Sequence, residues 1–430
     1  MLVRALSIAM VILLAVGCEK PTHENVDKWV TTQKGPGKLK AALSNDSLDP
    51  DLSAHAAIAM LRRRNIMDAD VRAGLEKMAP ARRTLVVAKL VTRLWDLARV
   101  DKEMDLPDGL QVTAKDLLVQ VRAYADPATQ AQIDADLTDW YGVRSYVGRA
   151  RSGSVSGPVV VRMVGAPLGA KLIQVANAVV TQPGQEVQRI KLDDTLLVGL
   201  AASGSPDAVK YLLDLVHLDR GDKTQGPRAI SALYRAFVNS SNEFDLAPPD
   251  GLRPNVAALV AIAKDDASNN QMINDSISLI RAAGAPACKE PLLAMVSAPH
   301  READFKFVVG SAALQCVGTA AIVDVVKSFP DGDSYDREVL FGGLVNEIKK
   351  LQPTDQVIAE SRKLLAEPGT VAKWVGIETL AALHSTADAG AVAALGSNKA
   401  PLAGYWGNNP DNKPTPTLGA RAIELAATLK

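Results

Sequence analysis

A chain of 430 residues, 47% of them apolar, holds enough apolar surface for a substantial core, which excludes disorder over most of its length. Its 48 basic and 48 acidic residues cancel, so no global field draws it to nucleic acid. Aromatics at 4% leave little of the stacking surface that single-strand and sugar binders use.

The chain opens with MLVRALSIAMVILLAVGC: Arg4, an uncharged apolar run from Ala5 to Val16, then Gly17-Cys18. The run is shorter than the roughly 20 residues of a membrane span and has the length of an export-signal core. Ala15-Val16-Gly17-Cys18 resembles a bacterial lipobox, with Ala15 where Leu is commoner. The resemblance implies cleavage before Cys18 and acylation of the new terminal cysteine. It also implies stable attachment to an envelope membrane, because each buried acyl methylene contributes about 0.8 kcal/mol. A plain secretory signal and an uncleaved anchor are the alternatives. Losing residues 1–17 removes Arg4 and leaves a net charge of −1. Glu19 after the cysteine resembles outer-membrane rather than inner-membrane sorting, and residues 18–36 read as a lipidated tether.

Beyond residue 36 the chain is cut every 12 to 20 residues by Pro or Gly, and apolar positions between cuts recur at helical three- and four-residue spacing. Residues 37–100 read as N-terminal helical repeats. Met60 to Arg99 holds ten basic against four acidic residues, and Asp101 to Asp139 holds three against nine. Arg62, Arg63, Arg64, Arg82 and Arg83 seed either a basic patch for anionic lipid or polymer, or helix faces that neutralise their acidic neighbours. Residues 101–191 fit the pattern poorly and read as an irregular helical or linker segment. Within it, Val159-Val160-Val161 is short enough to be strand or helix.

From Leu192 to Leu395 one turn pattern returns. Leu200-Ala-Ala-Ser-Gly204-Ser-Pro-Asp-Ala208 precedes VKYLLDLV, Ile280-Arg-Ala-Ala-Gly284 precedes KEPLLAMV, Leu314-Gln-Cys-Val-Gly318 precedes VDVVKSF, and Leu380-Ala-Ala-Leu-His384 precedes AGAVAAL. The starts lie 80, 34 and 66 residues apart, as multiples of a 33 to 40 residue unit would. A small residue lets two helices approach, a left-handed glycine stops the first, and the second starts within a few residues. The pattern resembles HEAT and HEAT-like (PBS-lyase-type) repeats, whose usual turn reads Leu-Gly-x-x-Gly-Asp-Pro-x-Ala. That resemblance implies an all-α fold, an α-solenoid of antiparallel helix pairs with a long concave face. Residues 37–61 resemble one further unit.

Catalytic and metal-binding patterns are weak. The five histidines, His23, His55, His217, His300 and His384, read as scattered, with His384 in the glycine's place at a helix end. Arg151-Ser-Gly-Ser-Val155-Ser-Gly157-Pro lacks the Gly-Lys-Ser/Thr of a phosphate loop and the serine of a nucleophile elbow, so it reads as linker. Asp331-Gly-Asp333-Ser-Tyr335-Asp336-Arg-Glu338 misses the calcium-loop spacing and reads as a solvated turn capping the next helix. Cys288 and Cys316 read as a disulfide pair or as two buried thiols. Residues 396–430 read as an aromatic loop carrying Tyr405 and Trp406 for contact or capping, followed by a closing helix.

The expectation is a non-enzymatic, membrane-anchored scaffold of the bacterial cell envelope. It takes no cofactor or metal, binds no nucleic acid, and docks an unidentified protein partner. A lyase-like envelope enzyme and a polyanion- or glycan-binding lipoprotein are the rivals.

Overall fold

The computed structural model describes residues 19–99, 109–145, 155–180, 192, 194–218, 225–241, 243–297, 303–329, 331, 342–402, 404 and 414–430. Every regular element among them is a helix, and an antiparallel bridge joins Pro401 to Thr417. Contacts divide the chain into two compact units, residues 1–190 and 191–430.

The first unit contains α1 (His23–Trp29), α2 (Gly35–Leu43), α3 (Pro50–Leu61), α4 (Asp68–Lys77), α5 (Pro80–Arg99), α6 (Leu110–Val121), α7 (Pro127–Asp139), α8 (Gly157–Val164) and α9 (Ala166–Val180). Side chains written just ahead of the helices start several of them. Thr22, Asp49 and Asp126 each accept a backbone N–H of the first turn, and Pro50 and Pro127 follow where a missing N–H is harmless. Helix α3 packs against α1, α2, α4 and α5, so Leu52 to Leu61 are all buried and its alanine-rich sequence shows no polar stripe. Helix α5 buries one face, through Val86, Val87, Leu90, Val91, Leu94, Leu97 and Ala98.

One expectation is corrected here and another is made definite. Residues 19–36 are not a free tether, because α1 lies within them and buries Val26 and Trp29 in the unit's core. The described part of 101–191 is helical. Val159-Val160-Val161 belongs to α8, where Val160 and Val161 are fully buried, so packing overrides the strand preference of β-branched residues. Local irregularity takes the form of a π-helical stretch, Trp140–Ser145, after α7.

The second unit contains α10 (Asp194–Ala202), α11 (Pro206–Leu218), α12 (Gln225–Phe237), α13 (Val256–Lys264), α14 (Asn270–Ala282), α15 (Lys289–Val296), α16 (Ala303–Val317), α17 (Ile322–Lys327), α18 (Gly343–Lys349), α19 (Thr354–Ala366), α20 (Thr370–Ala382), α21 (Ala389–Ala393) and α22 (Leu418–Thr428). Each of α10, α12, α14, α16, α18 and α20 packs against the next even-numbered helix. Each of the odd-numbered α11 to α21 packs against at least one even-numbered helix, so helix pairs recur along the unit.

The four recurring turn positions share one conformation: φ is 66° at Gly204, 72° at Gly284, 78° at Gly318 and 52° at His384. At His384 the closing bonds are those of a Schellman turn. The His384 N–H reaches Ala381 O and the Ser385 N–H reaches Leu380 O, both at 3.0 Å. The apolar stretch Asp304–Lys327 has the length and mean hydropathy of a membrane span. Left-handed Gly318 breaks it into α16, a 3₁₀ turn and α17, whereas a span needs one unbroken helix about 30 Å long.

Ahead of α22, the Leu402 N–H donates to Pro416 O, the Leu418 N–H to Ala400 O and the Gly419 N–H to Asn398 O, each at 2.9 Å. These bonds close the base of the aromatic loop. Tyr405 and Trp406 themselves lie outside the described residues, as does Cys18.

Candidate functional site

The densest convergence of chemically capable groups lies where α1 crosses α3. His23 opens α1 and His55 stands in the middle of α3, 32 residues further on, about one repeat period. Their rings stack with centroids 5.0 Å apart, and the two Nδ1 atoms approach to 2.7 Å. His55 Nε2 lies 3.0 Å from Asp27 Oδ1, and His23 Nε2 lies 3.6 Å from Asp51 Oδ2. Arg93 on α5 donates to both Asp51 oxygens at 3.0 Å, and Arg62 stands 3.9 Å from Asp27.

The proton count follows from these partners. Ionised Asp27 can only accept, so His55 Nε2 carries a hydrogen. Neutral His55 then offers a lone pair at Nδ1, and His23 must donate from its own Nδ1. The contact holds with at most one of the two rings charged, since two imidazolium rings would set N–H against N–H. Burial, partly opposed by Asp27, lowers the His55 pKa and favours the accepting form. Arg93 holds the Asp51 carboxyl below its ordinary range. An ion bound to both facing nitrogens at the usual 2.0–2.1 Å in tetrahedral geometry needs them more than 3 Å apart. Among the described residues, no group of three or more His, Cys, Asp or Glu is placed to hold a metal ion.

A second polar cluster is sealed inside the first unit. Lys115 is fully buried, and its ammonium donates to the Tyr141 hydroxyl at 3.1 Å and to Val155 O at 3.2 Å while pairing with Asp116. Burial raises the Tyr141 pKa, so the phenol stays protonated. One turn ahead of the π-helical stretch, burial pushes the Asp136 carboxyl up to about 6. Its Oδ2 and the Trp140 indole N–H are buried without partners. Two hydrogen bonds and an ion pair hold the Lys115 ammonium, which makes this a structural knot rather than a poised nucleophile.

The five arginines of the basic segment separate in space. Arg63 donates to the carbonyls of Trp29, Val30 and Thr32, closing the end of α1. Arg82 donates to Asn45 O and Ser53 Oγ, and Arg83 lies over the Tyr124 ring at 4.1 Å. Arg62 and Arg64 remain exposed. Arg62, Arg82 and Arg93 reach back to Asp27, Asp46 and Asp51, not forward to the acidic stretch 101–139.

In the second unit, Cys288 and Cys316 are joined as a disulfide between the start of α15 and the end of α16. Polar side chains link α14, α16 and α18: Arg281 donates to Gln315, which donates to Glu347 at 3.0 Å. A cavity of about 200 Å³ lies between Phe329, Lys327, Glu367 and Ala372. Above it, Asp331 accepts the Thr370 and Val371 N–H groups at 2.8 and 2.9 Å. Asp331 thus caps α20, two helices beyond the one expected. The rest of that acidic cluster, and residues 151–154 of the glycine-rich loop, lie outside the described residues.

Sequence reading missed the His23–His55 pair because the two residues share no local motif. The available signal was their separation by one repeat length.

These features define an all-helical protein of recurring helix pairs. No protein-family model matches the chain, and no curated protein matches it. Among solved structures, it is similar to human deoxyhypusine hydroxylase in complex with glycerol, at 14% identity over 80% of this chain and 97% of that one. The TM-score is 0.22, a superposition too loose to transfer an activity.

Proposed function

We propose that the chain is a lipid-anchored α-solenoid of HEAT-like helix pairs, serving as a non-catalytic protein-docking scaffold in a bacterial envelope. The observation that carries this reading is the recurrence of α10, α12, α14, α16, α18, α20 and α22, each packed on the next. Helices set side by side at one-repeat intervals offer many modest contacts, and a partner burying about 1,600 Å² in total would bind through their sum. The leader 1–17 supplies export, and Cys18 supplies the acyl attachment. The glycan-binding alternative is weakened, since Arg63, Arg82 and Arg83 are spent on carbonyls and a ring inside the fold.

In-cell cross-linking with mass spectrometry tests the docking role: one envelope protein should be recovered repeatedly through the second unit. Recovery of none at native expression refutes it. Fatty-acid labelling should vanish in Cys18→Ala, and persistent label refutes the anchor.

A further inference from the structure

The first described residue, Glu19, is already fixed. Its Oε2 accepts the Trp29 indole N–H and the Lys38 ammonium, both at 2.8 Å, and Trp29 is buried. Lys20 follows, its carbonyl accepting the Asn25 amide at 2.9 Å. A group attached at position 18 is therefore one Cα step, about 3.8 Å, from a residue locked to the helical body. No flexible spacer separates them.

The same Trp29 gathers positive charge. Arg63 donates to its carbonyl at 2.8 Å and to Thr32 O at 3.3 Å, which brings the turn 62–64 against the turn 30–34. Exposed Lys20, Lys34, Arg62 and Arg64 thus lie on the three short segments that meet at Trp29, whose indole holds Glu19. Among the described residues Lys20, Lys34 and Arg64 have no acidic partner, and Arg62 has only Asp27, 3.9 Å away and shared with His55. The nearby acids are otherwise engaged, Glu19 by Lys38 and Glu24 by Lys28.

We infer that Lys20, Lys34, Arg62 and Arg64 form a membrane-facing surface that binds anionic phospholipid headgroups and fixes how the first unit sits on the bilayer. The inference deepens the anchored-scaffold reading and rests on attachment at Cys18. A zero-length attachment holds this face of the unit close to the surface, and each cation that comes within about one Debye length, ~8 Å, gives roughly a five-fold gain in binding.

The test is made on the full mature chain. Because Cys288 and Cys316 are paired, Cys18 is the only free thiol and can be coupled to a maleimide lipid in vesicles. Amine acetylation read by mass spectrometry then compares phosphatidylcholine vesicles with phosphatidylcholine–phosphatidylglycerol vesicles. On the anionic vesicles Lys20 and Lys34 should react about five-fold more slowly, and the same two lysines in protein coupled to phosphatidylcholine vesicles serve as the reference. Arg62→Gln/Arg64→Gln should abolish most of that protection, as should salt near 1 M, where the Debye length is about 3 Å. Equal reactivity on both vesicles at full coupling overturns the surface, and so does protection that the double variant leaves intact. Coupling replaces natural acylation, so a failure here is distinct from absent fatty-acid label in cells, which would sink the anchor alone.

Discussion

Replacing His384 by glycine should stabilise the second unit. His384 holds φ at 52° where Gly204, Gly284 and Gly318 hold 66°, 72° and 78°, and an L residue there costs about 1–2 kcal/mol. Its side chain is exposed, so removing it forfeits little packing. Glycine's extra freedom in the unfolded chain takes back about 0.4–1 kcal/mol. The net gain is about 0.5–1 kcal/mol, or a rise in Tm of roughly 1–2 °C for a unit this size. The mirror experiment is Gly318→Ala. A Cβ there meets nothing within 4 Å, so the loss is conformational strain alone, about 1–2 kcal/mol less the alanine's entropic gain. Urea unfolding and calorimetry on both variants measure the pair. If His384→Gly lowers stability while Gly318→Ala leaves it unchanged, the left-handed turn is not what ends these helices, and the repeat reading loses its physical basis.

Acid should weaken the first unit through His55. Its folded pKa lies below the unfolded value near 6.5, so its contribution is present above pH 6.5 and lost as pH falls through the folded pKa. The urea midpoint should drop from pH 7 to 5 in the wild type and more shallowly in His55→Gln; parallel slopes exclude the pair as the cause. Asp136 has the opposite sign, because its pKa is raised to about 6, so it loses stability as pH climbs from 4 to 6. Asp136→Asn should gain stability at pH 7.5 and flatten that limb, a result checked by the same titration. Reducing the Cys288–Cys316 disulfide frees a loop of 28-residue separation and should cost about 3–4 kcal/mol, visible as a lower urea midpoint with dithiothreitol and absent in Cys288→Ala/Cys316→Ala. Lys115→Ala should cost 3–5 kcal/mol, because it leaves Asp116 buried without its cation. A loss under 1 kcal/mol in chemical unfolding would mean the pair is wet.

The helix ends were legible because their causes are local. A left-handed glycine, a proline at the first helical position and an Asp, Asn or Thr cap act within four residues of chain, which is why Gly204, Gly284, Gly318 and even His384 could be marked from sequence alone. Helix α3 and the tether were harder for the opposite reason. Nothing within α3 says that four helices will surround it, and nothing in Glu19 to Trp29 says that a carboxylate one residue past the cysteine will be captured by an indole and an ammonium ten and nineteen residues away. Charge counts along the chain do not name partners either. Arg62, Arg82 and Arg93 of the basic stretch pair backwards with Asp27, Asp46 and Asp51, while Arg99 acts forward on Asp136.

Several polar pairs share a length. Arg63 reaches Trp29 over 34 residues, His55 reaches His23 over 32, Arg281 reaches Gln315 over 34, and Gln315 reaches Glu347 over 32. Apolar side chains between stacked helix pairs tolerate sliding by a turn, because Leu, Val and Ala faces fill similar space in either register. Hydrogen-bonded polar pairs do not, since a one-turn slip of about 5.4 Å breaks every one of them and strands the buried members. Sparse polar contacts at one-repeat separation therefore set the register that the apolar core leaves open. A chain whose repeats have diverged this far can keep its stacking by conserving the spacing of such pairs while the identities of the residues change.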